Sequence, residues 1–280
     1  MRFDVSTELA LFADSVRAAI GSWEPTREPD LGSWQDDRDD ALAARLTAAG
    51  WSDLGSDPEM LGAVVAGAIE LGRACAPICL VDEATLGGAL WVGGRARHGL
   101  RASALVAPAP RGGLSLVRAC GSVVPERTLD GSGSVRVDVA TVEIVPQAEA
   151  SARWSAWAAA TLGYLAGVAE RALALTVAHV RAREQFGAPL AALPAVQARL
   201  ADAALAADGI ALLAWSAATG GRGAASAERA WAGEAACEVT ATAHQLHGAA
   251  GFALETGLHR WYRRARAVHG WSAAVSAALR

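Results

Sequence analysis

The chain of 280 residues has few cysteines: Cys75, Cys79, Cys120 and Cys237. Four are too few for a disulfide scaffold of this size and suit a reducing, cytoplasmic setting. Cys75 and Cys79 are spaced to share a helix face, but no second close Cys or His pair completes a zinc site, so no metal is expected. Basic blocks are missing and net charge is −4, which argues against nucleic acid as a partner. No unbroken apolar run reaches the roughly 18 residues of a membrane helix, so no membrane is expected either. The opening, MRFDVSTELALF, is acidic and amphipathic and lacks a signal-peptide core. Internal repeats and low-complexity tails are also lacking. What is there is 52% hydrophobic and 19% charged, the balance of a globular chain with a sizeable core.

Apolar spacing separates three regions. Residues 1–85 have helical periodicity and form an expected N-terminal helical domain. STELALFADSVRAAI opens on a Ser-Thr cap signal and places Leu9, Phe12, Val16 and Ala19 at steps of three and four. RDDALAARLTAAGW repeats the pattern up to Gly50, an expected C-cap, and DPEMLGAVVAGAIELGRA starts on Asp-Pro-Glu and runs to Gly72. Residues 86–150 are expected to hold a truncated β domain of about four antiparallel strands, beginning near 99. Its last strand alternates Val135, Val137 and Val139 on one face with Arg136 and Asp138 on the other. Residues 151–280 are expected to form a four-helix bundle. The first helix spans roughly 153–186 and stops at Gly187 and Pro189; the second starts near Pro194 and runs to Gly220. The third carries Trp231, Val239 and Leu246 up to Gly248, and a short basic segment then leads into a final apolar helix. The fold class is mainly α.

Two C-terminal stretches carry a resemblance. RAREQFGAPLAALPAVQARLAD contains Arg-x-Gln-Phe-Gly-x-Pro-Leu, and HQLHGAAGFALETGLHRWYRRA, residues 244–265, is similar to Gln-(Leu/Ile)-x-Gly-Gly-x-Gly-(Phe/Tyr) followed by a Glu and an Arg-rich helix. Both resemble motifs of the acyl-CoA dehydrogenase family, in that family's order, and LGRACAP resembles a motif near the end of its N-terminal domain. The resemblance implies an FAD-dependent oxidoreductase that removes a hydride from the β-carbon of an acyl-CoA after a glutamate takes the α-proton. It implies that Arg183 reaches across a subunit interface to the FAD pyrophosphate of a neighbouring chain. It places Phe186 near the adenosine, and Gln245, Leu246, Gly248 and Ala249 at the adenosine and ribose-phosphate end. The guanidinium suits phosphate oxygens, and Gly248 allows close backbone approach. A plainer reading is open for each residue alone: Arg183 as a helix-end charge, Phe186 as core, Gln245 as surface. The pair His244 and His247 invites a metal reading, and Arg260, Arg263, Arg264 and Arg266 suggest either a CoA-phosphate cluster or a solvated face.

The departures from the family carry as much information. Residues 86–150 are too short for the usual barrel; TLDGSGSVRVDVATVEIVP looks like its end, and the Thr-Glu-x-x-x-Gly-Ser-Asp and Trp-Ile-(Ser/Thr)-Asn segments that grip the flavin ring are not found. One family position for the base falls at about Trp157, and the other in AVHGWSAA, where no acid stands and His269 is the nearest titratable group. Pro194 replaces a glutamine that assists the cofactor, and Ala249 and Ala250 relax the Gly-Gly stretch. The resemblance therefore points to a chain with no catalytic residue of its own, sharing FAD at a subunit interface with a full-length acyl-CoA dehydrogenase-like partner that turns over an acyl-CoA. The family's actinobacterial heterotetramers of steroid side-chain breakdown are of this kind. Two alternatives stay open: a flavin-free isomerase or cyclase on the same scaffold, using a histidine or Glu255, and a homomeric dehydrogenase with a displaced base such as Glu149.

Overall fold

A computed structural model describes residues 6–21, 23, 39–52, 54–98, 104–126, 128–185, 187–220 and 224–280. Helix α1 (Thr7–Ile20) is capped by Ser6, whose side chain accepts from the Leu9 N–H. Helix α2 (Asp40–Ala48) is capped by Asp39 in the same way through Leu42. Asp57 caps a short 3-10 turn, Pro58–Met60, that leads into α3 (Leu61–Arg73), and α4 (Cys79–Leu86) completes the first helical set.

Helix α3 ends one residue beyond Gly72, as the spacing predicts. An added Cβ on Gly72 would come within 2.1 Å of the Tyr164 carbonyl oxygen. On the facing helix α5 (Gln147–Ala182), a Cβ on Gly167 would come within 2.0 Å of the Ile69 oxygen, and one on Gly163 within 2.9 Å of the Val65 oxygen. These glycines let two backbones touch. Just past the helix, Cys75 takes a positive φ of 52°.

The β region has five strands among the described residues: β1 (Ala89–Val92), β2 (Arg95–Arg97), β3 (Leu105–Ala109), β4 (Gly113–Glu126) and β5 (Ser134–Ile144). They close into a small barrel in the order β1-β2-β5-β4-β3, with β1 and β3 parallel. This corrects the expectation of about four antiparallel strands beginning near 99. The first hairpin turns through Gly93 and Gly94, both at positive φ (61° and 83°), the geometry of a two-residue hairpin turn. Val135 and Val137 point into the barrel core with Ala89, Ala96, Leu105, Ala107 and Val117, and Val139 packs against it half-buried. That core is small because most of its residues are alanine and valine.

Helices α5, α6 (Pro194–Thr219), α7 (Ser226–His247) and α9 (His259–Ala278) form the bundle, with a short α8 (Ala249–Phe252) between the last two. Helix α5 begins earlier than expected, directly after Pro146 as N-cap, and ends four residues before Phe186 because Arg183 turns extended (φ −84°, ψ 120°). Residues Glu184–Gln185 and Ala188–Pro189 then pair as a miniature hairpin, β6 and β7, around Gly187 at φ 80°. Helix α9 is unbroken, whereas the sequence suggests a basic segment and a separate last helix; Gly270 is tolerated inside it at a cost of about 1 kcal/mol. Helix α6, 26 residues with a window of mean hydropathy 1.4, is long and apolar enough to cross a membrane. The expectation from unbroken runs misses it because charged residues interrupt the run without lowering the average. Its Ala203, Ala207, Ile210, Ala214 and Ala217 face is buried in the bundle, and core helices of bundles meet the same measure.

Candidate functional site

The two C-terminal motifs meet at one end of the bundle. Helices α5 and α7 finish side by side, and His179 and His247 stack there with ring centroids 4.2 Å apart and planes 22° apart. The Arg183 N–H closes α5 onto the His179 carbonyl at 2.8 Å, and the Arg183 side chain is exposed. Gln245 is exposed and Leu246 half-buried; Gly248 takes φ 60° and ψ −138°, a conformation that favours glycine, and Ala249 opens α8, also exposed. Phe186 lies outside the described residues. Burial holds the His179 imidazole below its ordinary pKa, helped by the His247 and Arg183 charges. Burial likewise holds His244 down, with His259, His247 and Arg263 adding to the effect. Both shifts favour the uncharged imidazole of His179 and of His244.

His244 and His247 diverge. The His247 Nδ1 meets the Ala243 carbonyl oxygen at 2.7 Å, while the His244 ring faces Tyr262 and Phe252 at 5.0 and 5.4 Å. Among the described residues no group of three or more His, Cys, Asp or Glu side chains is placed to hold a metal ion.

At the first expected base position, Trp157 is buried and donates its indole N–H to Asp82 Oδ1 at 3.0 Å. Asp82 is a carboxylate next to that position, contributed by α4. It is fully buried and held by Arg97 through two hydrogen bonds, of 2.8 and 2.6 Å. Three donors and a buried counter-charge leave it no freedom to act as a base. Arg97 also lies over the Trp271 ring at 5.2 Å, and Arg229 over Trp157 at 5.6 Å. This cluster joins α4, β2, α5, α7 and α9, and nothing in the local sequence announces it.

At the second position, helix α9 presents its residues in opposite directions. His269 faces α7, where its Nδ1 would lie 2.3 Å from a Cβ on Gly233, and it lines a cavity of about 280 Å3 with Ser226, Ser272 and Ser276. Gly270 and Trp271 face a larger cleft of about 700 Å3 between α9 and the barrel. The acid lining that cleft is Glu126, bonded by Arg136 at 2.9 Å and Arg95 at 2.7 Å. Those arginines, Arg136 foremost, hold its carboxyl below the usual range against a smaller opposing effect of burial. Glu149 pairs with Arg153 at 2.6 Å, and Glu255 is exposed on a short 3-10 turn, Leu254–Thr256. None of Glu149, Glu255 and His269 lines the α9–barrel cleft.

The arginines of α9 also scatter. Arg264 is buried, pairs with Asp130 of the β4–β5 turn at 2.9 Å and donates to the Ala76 carbonyl at 3.0 Å. Burial raises the Asp130 carboxyl, but the Arg264 charge and the Ser132 hydrogen bonds outweigh it and hold the group low. Arg266 lies over Tyr262 at 4.9 Å, and Arg260 enters a different cleft. They form no single CoA-facing patch.

Residues 153–272 match the family model described as the acyl-CoA dehydrogenase C-terminal domain. Among curated proteins, the 3-sulfinopropanoyl-CoA desulfinase of Paraburkholderia xenovorans is 38% identical over 105 residues, 36% of this chain and 27% of the relative. The short-chain specific acyl-CoA dehydrogenase of Bos taurus is 41% identical over 107 residues, 36% of this chain and 26% of the relative. The match thus spans about a quarter of these relatives. Solved structures cover far more. The Tcur3481-Tcur3483 steroid ACAD, as a G363A variant, is similar with TM-score 0.75 at 22% identity, over 97% of this chain and 95% of that one. The ChsE4-ChsE5 complex of Mycobacterium tuberculosis gives 0.73 at 19%, over 99% and 96%. Butyryl-CoA dehydrogenase of Megasphaera elsdenii gives 0.75 at 15%, over 99% of each chain. Residues 153–272 thus carry an acyl-CoA dehydrogenase C-terminal domain, and the chain as a whole has an acyl-CoA dehydrogenase-like fold.

Proposed function

We propose that this chain is the non-catalytic subunit of an acyl-CoA dehydrogenase-type oxidoreductase. In this reading it offers Arg183, Gln245, Leu246, Gly248 and Ala249, with Phe186, to FAD held mainly by a full-length acyl-CoA dehydrogenase-like partner, and the partner carries the base. The observation that carries the reading is a division within the chain. Arg183, Gln245 and Ala249 are exposed, on segments that follow or end α5 and α7 where those helices finish together. The two base positions hold Trp157, buried against Asp82, and a stretch of α9 whose one titratable group, His269, faces away from the barrel cleft.

The fit to FAD divides the same way. Arg183 forms no ion pair among the described residues, so its charge is available to a pyrophosphate. Nothing lies within 4 Å of a Cβ built on Gly248, which leaves its backbone open to approach. The α9–barrel cleft, in contrast, presents the charged Glu126 and is walled by a barrel whose sequence lacks the ring-gripping segments. FAD, when bound, supplies hydride acceptance. This chain's part is to hold the phosphate end across the interface and exclude water from it. An isologous pair would repeat the missing base at both sites, so the partner is a different chain. The similarity to two structures named as pairs, one of them a steroid ACAD, supports that assembly and a steroid or other lipid acyl-CoA as substrate. A desulfinase among the relatives marks the C-terminal domain as compatible with more than one reaction.

The test is the visible spectrum of the chain purified alone and with a co-expressed acyl-CoA dehydrogenase-like partner. A colourless chain that becomes yellow and active only with the partner is expected; stoichiometric FAD in the isolated chain refutes the reading. Chemistry carried here would rest on Glu149, Glu255 or His269. Loss of single-turnover flavin reduction in Glu255→Gln or His269→Ala, with fold and FAD content intact, would return the catalytic role to this chain.

A further inference from the structure

A cleft of about 550 Å3 opens where α1, α3, α5 and α9 meet, on a part of the bundle that the shared-cofactor reading does not use. Four arginines line it: Arg17, Arg73, Arg171 and Arg260. Its charge does not balance. Glu70, buried, accepts from Arg17 through Nε and Nη2 at 2.9 Å each and also takes Arg73. Arg73 is shared with Glu170 at 2.8 Å. Asp14 also bonds Arg17 at 2.6 Å, so three acids meet two guanidiniums. Arg171 and Arg260 have no acidic partner among the described residues, and the Arg260 Nε is buried with no hydrogen-bond acceptor. Arg260 is half-buried and Arg171 exposed, so both charges are within reach of an incoming oxyanion, for which a guanidinium is a strong partner.

Trp23 and Trp261 form part of the remaining wall, with Ile20, Gly21 and Ala74. The Trp23 indole N–H bonds Asp39 at 2.9 Å, and the Trp261 N–H bonds the Arg73 carbonyl at 3.2 Å. With their N–H groups satisfied, both indoles offer the cleft only apolar ring surface. A volume of this size falls within the range of small-ligand sites, about 300–1,000 Å3.

We propose that this cleft binds a phosphate-bearing ligand with a planar ring, of the nucleoside diphosphate class, with Arg171 and Arg260 on the phosphates and Trp23 and Trp261 against the ring. It is distinct from the Arg183 end of the bundle, since residues 171 and 183 stand about 18 Å apart along one helix at 1.5 Å per residue. The proposal does not depend on FAD being shared there.

Isothermal titration of the full chain with ADP tests it, with inorganic pyrophosphate as the second probe. ADP is expected to bind, and pyrophosphate to bind about tenfold or more weakly because it lacks a ring to stack. Arg171→Gln and Arg260→Gln each weaken ADP about tenfold or more, and Arg183→Ala leaves ADP affinity unchanged. Arg171 is exposed, so its variant keeps the test valid even where Arg260→Gln fails to fold. The proposal is overturned by no heat with ADP at millimolar concentration. Undiminished binding in Arg171→Gln, or pyrophosphate as tight as ADP, also overturns it. Loss of ADP binding in Arg183→Ala would assign the ligand to the other end.

Discussion

Replacing Asp82 by Ala tests the buried cluster that joins both helical sets to the barrel. Asp82 is 0% exposed and Arg97 2%. The substitution removes two short hydrogen bonds to Arg97 and one to Trp157, and leaves a guanidinium in the interior that keeps, among the described residues, the Trp271 ring beside it. Breaking a buried pair from one side costs about 3–5 kcal/mol, because the remaining charge keeps its desolvation penalty without its partner. Against a total stability of about 5–15 kcal/mol, that loss brings the fold close to its limit. The pair is not expected to be a large net stabiliser over an apolar substitute. Asp82→Leu combined with Arg97→Met should therefore recover most of the loss. Urea denaturation followed by circular dichroism and by tryptophan fluorescence measures both variants. A loss below about 1 kcal/mol in Asp82→Ala is the value of an exposed pair and would refute the interior placement of Asp82. The account of why this carboxylate is no base would fall with it.

Other expectations follow from particular contacts. Gly167→Ala should destabilise by about 1–3 kcal/mol or more, since its Cβ would meet the Ile69 carbonyl oxygen at 2.0 Å and push α3 from α5; an unchanged urea midpoint contradicts that close approach. Asp130 has a folded-state pKa below its ordinary 3.8, so its contribution is present above that value and lost as pH falls below it; destabilisation by Asp130→Asn at pH 7 should shrink in acid, as urea midpoints at several pH values will show. His179 and His244 are lowered from 6.5, so the unfolded chain binds more protons just below that pH and stability should fall there as pH drops; His179→Gln should flatten that slope. In the assembled complex, Arg183→Ala should weaken FAD binding by roughly 30-fold or more while this chain's unfolding curve stays unchanged, and equal affinity by fluorescence titration would reduce Arg183 to a helix-end charge.

Local pattern determined a good part of this molecule. The caps at Ser6 and Asp39, the Val135 and Val137 face of the last strand and the four long C-terminal helices follow from spacing within a few residues, which is the range over which capping and periodicity act. The Gly93-Gly94 hairpin belongs to the same class: two glycines between ALWV and RAR carry the turn signal, although composition alone starts the strands near 99. The motifs around Arg183 and Gln245 were legible as family stretches. That they face outward at one shared end was not, because it depends on α5 and α7 finishing together at the His179–His247 stack. Only the tertiary structure decided that Gly72 packs against the Tyr164 carbonyl, since the partner backbone lies in another helix. It alone set Asp82 against Arg97 and Trp157, 15 and 75 residues away, and turned His269 toward α7 and away from the barrel cleft. Side-chain direction around α9 is fixed by what packs on each side of it, and that information is spread over the whole chain.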